Sequence, residues 1–275
     1  MKKIINIVAK MVKECSKNDM DVYAGYAALF IITASFPFLM LILAVFNMLP
    51  GYSPENFIEF LFNFIPDIQE VKSMVTSLLV NMKSQSSGLL ASITAVTTLW
   101  SASAGISAIQ KGLKKITVNP ARKGSKLIAL LYTFLFIIMI PAMLLFQMLS
   151  DSIKTLVLSL SSRLGLEIIA QHIDSILQIS GLVTILLSAL ILLLTYTYLP
   201  GGRRPIKKQI PGTVFTAVIW YLFSAVFSLV MPRIWKFSLY GSLAALFLIL
   251  MWLRFIMLIL FYGAALNKVL YYENE

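Results

Sequence analysis

The stretch 239-LYGSLAALFLILMWLRFIMLILFYGAAL-266 holds a single charged residue, Arg254, in 28 positions. About 20 apolar residues in a helix cross a hydrocarbon core about 30 Å thick, so this stretch reads as a membrane span. Five more follow the same rule, over residues 24–49, 88–109, 127–149, 177–199 and 210–231, and none of them contains a charge. The pattern predicts an all-α polytopic membrane protein with six transmembrane helices. The connections between spans are too short for a separate soluble domain, so residues 1–275 read as one membrane domain.

Composition agrees. Hydrophobic residues make up 59% of the chain and charged residues 13%, against about 45–50% and about 25% in soluble domains. The formal net charge of +11 invites a nucleic-acid reading, but its distribution argues for topology instead. Lys2, Lys3, Lys10, Lys13 and Lys17 precede the first span. Lys111, Lys114, Lys115, Arg122, Lys123 and Lys126 follow the second, Arg203, Arg204, Lys207 and Lys208 follow the fourth, and Lys268 follows the sixth. The opposite loops carry only Lys72, Lys83, Lys154, Arg163, Arg233 and Lys236. The positive-inside rule then puts both termini in the cytoplasm. The same charge attracts anionic lipid headgroups, which makes membrane lipids the expected partners and nucleic acid an unexpected one. Residues 1–22 lack the apolar core of a secretory signal, so the first span is expected to direct insertion.

Between the spans, periodicity is informative. Ile4, Val8, Met11, Val12 and Cys15 share one helical face, with lysines over much of the rest. This reads as an amphipathic helix on the inner membrane surface, packed under the bundle, or both. Pro37 near the middle of the first span predicts a kink. In the loop 50–87, Phe57, Ile58, Leu61, Phe62 and Ile65 form one stripe; Ile68, Val71, Val75, Leu78 and Met82 form another beyond Pro66. Two short amphipathic helices are expected there, and a less regular pair over 151–176.

The second span is unusually polar, with Ser92, Thr94, Thr97, Thr98, Ser101, Ser103 and Ser107 running on to Gln110. Ala104, Ala108 and Gly112 recur every four residues, as do Ser101 and Gly105. Small residues let helices approach closely and hydroxyls bond between them. The helix is therefore expected inside the bundle, its ladder joining helices within one chain or between two copies in a homo-oligomer. Thr94, Thr97, Ser101 and Gln110 are candidates to line a polar cavity or to serve as interhelical packing.

Chemistry for an enzyme is missing from the pattern. His172 is the one histidine, and Glu167 and Asp174 near it do not make a metal-ligand spacing; no catalytic residue, metal site or cofactor is expected. Cys15 is the one cysteine, so no internal disulfide forms. No Asp or Glu lies inside a span, leaving Arg254 without an acidic partner there. A central arginine costs about 2.5–3.5 kcal/mol on insertion scales, a cost that carbonyls, hydroxyls, water or an anionic group such as a lipid phosphate would offset. Arg254 completes the candidate cavity.

Several separated stretches resemble the YihY/BrkB family of bacterial membrane proteins, once labelled ribonuclease BN. They are Tyr23-Ala24 through Ser35-Phe36-Pro37, then Leu99-Trp100-Ser101-Ala102-Ser103-Ala104-Gly105, then Leu199-Pro200 and Pro211-Gly212. Last come Tyr240-Gly241-Ser242, Gly263-Ala264 and Asn267. Ala265 stands where the family often has an acid, Arg254 where a tyrosine is common, and Gly201 where an asparagine often follows the proline. The resemblance implies a six-helix bacterial inner-membrane protein, linked to envelope integrity, for which the nuclease label is a misassignment. Pro37, Trp100, Gly105, Pro200, Gly212, Tyr240, Gly241, Gly263 and Asn267 are its implied structural positions.

Together these readings favour a protein that transports or scrambles a lipid or other amphiphile. A non-transporting envelope scaffold that docks unknown protein partners is the alternative, favoured by a sealed bundle.

Overall fold

In the computed structural model, residues 2–46, 62, 68–83, 88–117, 127–135, 138–139, 156, 159, 179–201, 204–234 and 241–271 are described. They form helices and turns, with no strand among them. Helix α1 spans Lys2–Lys17, α2 Met20–Phe46, α3 Gln69–Lys83, α4 Gly88–Ile116, α5 Ile179–Tyr198, α6 Ile206–Ile234 and α7 Gly241–Tyr271. Residues 127–135 are helical as well. Among the described residues, three segments are long and apolar enough to cross a membrane: Met20–Leu39, Ile206–Arg233 and Leu243–Tyr271. They correspond to the first, fifth and sixth expected spans. A shorter apolar helix, Leu186–Tyr198, lies within the fourth.

The helices outrun the charge-free limits read from sequence. α4 continues from residue 109 to Ile116 through Lys111, Lys114 and Lys115, α6 starts at Ile206 rather than 210, and α7 runs on to Tyr271. Lysine does not end a helix. Its apolar stem covers the last turns while the ammonium reaches water. α2 continues through Pro37. In the turns before it, Thr33 Oγ1 donates to the Leu29 carbonyl (2.8 Å) and Ser35 Oγ to the Ile32 carbonyl (2.7 Å), a back-bonding pattern that loosens a helix locally. The stripe beyond Pro66 forms α3, with Ile68, Val71 and Val75 buried in the core. Of the other expected loop helices only Phe62, Leu156 and Ser159 fall within the described residues, and all three positions are helical.

α2 and α4 pack antiparallel along their length. Gly105 faces Phe30 and Ile31, and Gly112 faces Tyr23 together with Phe261 of α7. A Cβ on Gly112 would sit 2.6 Å from the Phe261 ring. Ala108 is fully buried. The small-residue ladder thus joins helices within one chain. α7 is the hub of the bundle, touching α1, α2, α3, α4 and α6. The 127–135 segment is tied to α5 where Tyr132 donates to the Leu194 carbonyl (2.6 Å).

α1 ends at Asn18, whose amide donates back to the Glu14 carbonyl (2.8 Å), and at Asp19, which takes a left-handed φ of 56°. Asp tolerates that region better than most residues. The single apolar face expected for α1 proves to be divided: Met11 and Cys15 are buried, while Val8 and Val12 are exposed. A bundle helix covers only part of a broad apolar arc, and here the covered part is the line through Ile7, Met11 and Cys15. Burial, reinforced by the Glu14 carboxylate, pushes the Cys15 thiol from 9.0 up to about 12.

Two predictions follow from this packing. Gly263→Ala places a methyl against Thr216 and Tyr196, and Gly212→Ala places one against the Gly263 carbonyl and Asn267. Each is expected to cost about 1–3 kcal/mol by overpacking, read as a lower melting temperature in detergent. Gly25→Ala in α2, where a Cβ meets nothing within 4 Å, is expected to leave the melting temperature unchanged or raise it. Cys15 is expected to resist maleimide at pH 8 in the folded protein and react after denaturation, because alkylation needs the thiolate. At pH 9 an exposed thiol of pKa 9.0 is half ionised, whereas with a folded value of about 12 only about one thiol in a thousand is ionised, so the folded reaction is expected to stay slow at pH 9 although it rises about tenfold from pH 8.

Candidate functional site

Two polar arrangements stand out. The first is a seam between α6 and α7. On α6, Gly212, Thr216, Trp220 and Ser224 recur every four residues and so share one face. Each meets α7 at a successive turn. The Gly212 N–H donates to Asn267 Oδ1 (2.7 Å). Thr216 Oγ1 lies 2.6 Å from the Tyr196 hydroxyl, which donates to the Leu260 carbonyl (2.8 Å). The tyrosine proton is thus committed to Leu260, and the threonine donates to tyrosine. Trp220 Nε1 donates to the Ile256 carbonyl (2.7 Å), and Trp252 Nε1 to Ser224 Oγ (3.1 Å). Residue numbers fall on α7 as they rise on α6, so the helices are antiparallel. At the Gly212–Gly263 crossing a Cβ on either residue would strike the partner helix.

The end of this seam is closed by buried amides. Asn267 Nδ2 reaches Gln209 Oε1 (3.1 Å). Gln110 of α4 donates to the Leu199 carbonyl (2.9 Å) in the turn between α5 and α6. That turn contains buried Pro200 and then Gly201 with φ 81°, a conformation glycine takes without a Cβ penalty. Gly212, Gly263 and Asn267, scattered over 56 positions of sequence, therefore meet in one place. Ala265, where the resemblance led to an acid, is fully buried.

The second arrangement is ionic. Arg254 Nη2 lies 2.6 Å from both carboxylate oxygens of Asp21. This corrects the expectation that no carboxylate would reach Arg254. Asp21 stands outside the charge-free limits of the first span, but α2 begins at Met20 and the long arginine side chain reaches its first turn. A carboxylate is favoured there by the helix dipole. The side chains of Arg254 and Asp21 are 46% and 60% exposed, so the pair lies on the flank of the bundle. Beside it, Val22, Tyr26 and Leu29 form an outward apolar line on α2, and Phe255 is exposed on α7. Two further acids near the α1–α2 elbow pair with other helices: Glu14 with Lys268 of α7, and Asp19 with Lys115 of α4 at 3.9 Å.

The five candidate cavity residues are spread along the bundle. Thr97 and Gln110 are 13 positions apart on α4, about 20 Å at 1.5 Å per residue. Thr97 lies on an exposed flank with Val96 and Trp100, Ser101 is half-buried, and Gln110 faces the α5–α6 turn. Thr94 is helical, but its side chain, like that of Tyr240, lies outside the described residues; Gly241 begins α7. Arg254 faces Asp21. Sequence reading missed Asp21, Tyr196, Gln209, Thr216, Trp220 and Ser224. The four-residue spacing from Gly212 to Ser224 was the available signal for the last three. Among the described residues no three His, Cys, Asp or Glu side chains converge as a metal site would require. His172 lies outside them.

Comparison with known proteins gives the family. The chain is 24% identical over 253 residues to a ribonuclease-like protein, YfkH, of Bacillus subtilis (strain 168), covering 90% of this chain and 89% of that one. No solved structure matches it. The profile of the virulence factor BrkB family matches residues 11–275, nearly the whole chain and every helix from the second half of α1 onward. This chain belongs to the virulence factor BrkB family of membrane proteins.

Proposed function

We propose that this protein moves or handles a lipid or another amphiphile at the bacterial cytoplasmic membrane. It would cross six times, with both termini cytoplasmic, as the sixteen-to-six split of basic residues between alternate loops supports. One observation carries the functional reading: the Arg254–Asp21 pair on the outer flank of α2 and α7, next to the apolar line of Val22, Tyr26 and Leu29. A polar pair buried in a bundle serves packing. One that opens sideways beside an apolar strip matches the two ends of an amphiphile. Asp21 holds the guanidinium through a single nitrogen, and an arginine fork offers five donors suited to a phosphate. An anionic headgroup would compete with Asp21 for Arg254 while its chains lie along α2.

Nuclease chemistry, suggested by the name of the Bacillus relative, finds less support. Phosphodiester hydrolysis ordinarily uses a metal cluster or a positioned acid–base pair, and the described residues contain no metal-ligand group. We therefore favour a non-enzymatic role. The close packing of α5, α6 and α7 favours the second reading, an envelope scaffold.

Reconstitution in liposomes with fluorescent-tail phospholipids separates them. Leaflet exchange above empty liposomes is expected, with Arg254→Gln reducing it to the background level. Asp21→Asn, which frees the arginine, is expected to retain exchange and to shift preference toward anionic lipid. Absence of exchange with both zwitterionic and anionic lipids would move the assignment to the scaffold.

A further inference from the structure

α1 presents two apolar lines, and the bundle covers only one. The Ile7, Met11 and Cys15 line is turned inward, with Met11 and Cys15 5% and 3% exposed. The neighbouring line, Ile5, Val8 and Val12, is 65%, 51% and 47% exposed. The rest of the circumference carries exposed Lys10, Lys13 and Lys17. The one acid of α1, Glu14, is turned to Lys268 and largely shielded there. At 100° per residue the three sectors follow one another around the helix: bundle, exposed apolar, basic.

The helix cannot roll to hide the exposed line. Its C-terminal end is fixed by Glu14–Lys268, by Asn18 bonding back to Glu14, and by the left-handed Asp19. The next residues are held by Lys115 and Arg254. Rotation that buried Val8 and Val12 would pull out Met11 and Cys15 and break the Glu14 pair.

We propose that α1 seats the Ile5, Val8 and Val12 line in the headgroup layer of an anionic membrane leaflet, while its Met11 and Cys15 line stays docked on the bundle. The charge argument selects the partner. With Lys2, Lys3, Lys10, Lys13 and Lys17 against Glu14, a basic helix with an apolar line beside its lysines matches an anionic bilayer surface, where such helices sink about 5–10 Å. A protein groove would have to be both apolar and acidic in the same register. This contact stands whether or not the protein moves lipid.

The test uses the full chain in nanodiscs of phosphatidylcholine with or without phosphatidylglycerol. Val12→Cys and Lys13→Cys are each labelled with an environment-sensitive fluorophore; buried Cys15 is left in place, and the unsubstituted protein controls for its labelling. With phosphatidylglycerol, the label at 12 is expected to shift to the blue and to be quenched severalfold more by doxyl-labelled lipid than the label at 13. The triple variant Lys10→Gln, Lys13→Gln, Lys17→Gln, carrying Val12→Cys, is expected to lose most of that quenching with its melting temperature unchanged. Equal aqueous exposure at 12 and 13 in phosphatidylglycerol discs would overturn the proposal. So would a shielded label at 12 that doxyl lipid does not quench, which would indicate a protein partner or a second copy. Quenching independent of phosphatidylglycerol would overturn the anionic preference. If the label at 12 unseats α1, Cys15 becomes reactive to maleimide, and the same comparison is made with Val8→Cys.

Discussion

The bundle depends on one close approach, the crossing of α6 and α7 at Gly212 and Gly263. Between membrane helices there is no water to expel, so association rests on packing and on interhelical hydrogen bonds. At this crossing the two backbones touch with nothing between them, and Asn267 accepts the Gly212 N–H. That bond answers a local need. Pro211 interrupts the regular ladder of α6, and a backbone donor near such a break needs a partner when it is buried. From the crossing, threonine and then indole groups carry the seam along successive turns. The small residues set where the helices are closest, and the larger ones set how they part.

α7 makes this crossing and also anchors the amino-terminal part of the chain. Lys268 holds α1 through Glu14, Arg254 holds the start of α2 through Asp21, and Phe261 fills the space left by Gly112 of α4. One helix thus joins the α5–α6 pair to the α1–α2–α4 group. A substitution that displaces α7 at Gly263 is transmitted to both. The Arg254 site inherits its geometry from a crossing nine residues away in sequence.

Much of the architecture could be read from residue patterns because it follows from averages over many positions. The charge-free limits of α2, α6 and α7 come from the cost of charge in hydrocarbon, and the stripe of Ile68, Val71 and Val75 comes from helical period. Helix ends were less legible, since lysines at 111, 114 and 115 signal the membrane surface and not the end of α4. The site was harder still, because partners such as Asp21 and Arg254, 233 positions apart, leave no mark in local composition. Gln110 shows the same limit from the other side. Its polarity in an apolar helix left a polar cavity and interhelical packing open, and its amide donates to the Leu199 carbonyl. The resemblance stretches were more informative than their individual residues, because Gly212, Gly263 and Asn267 prove to be neighbours.

The two polar arrangements differ in a way that bears on function. In the seam, each described donor is neutral, buried or partly buried, and directed at a nearby carbonyl, hydroxyl or amide oxygen, so exchanging its partner would leave a polar group unsatisfied in a medium that offers no substitute. That arrangement suits permanence. The Arg254–Asp21 pair is charged and half-exposed, and its guanidinium remains a strong donor to any anion that arrives from the side. Breaking it leaves two half-exposed ions whose charge the surroundings can take up. Under the proposed function, a bundle that both persists and admits a charged amphiphile needs one arrangement of each kind. The α1–α2 elbow places the exchangeable one beside the basic helix α1.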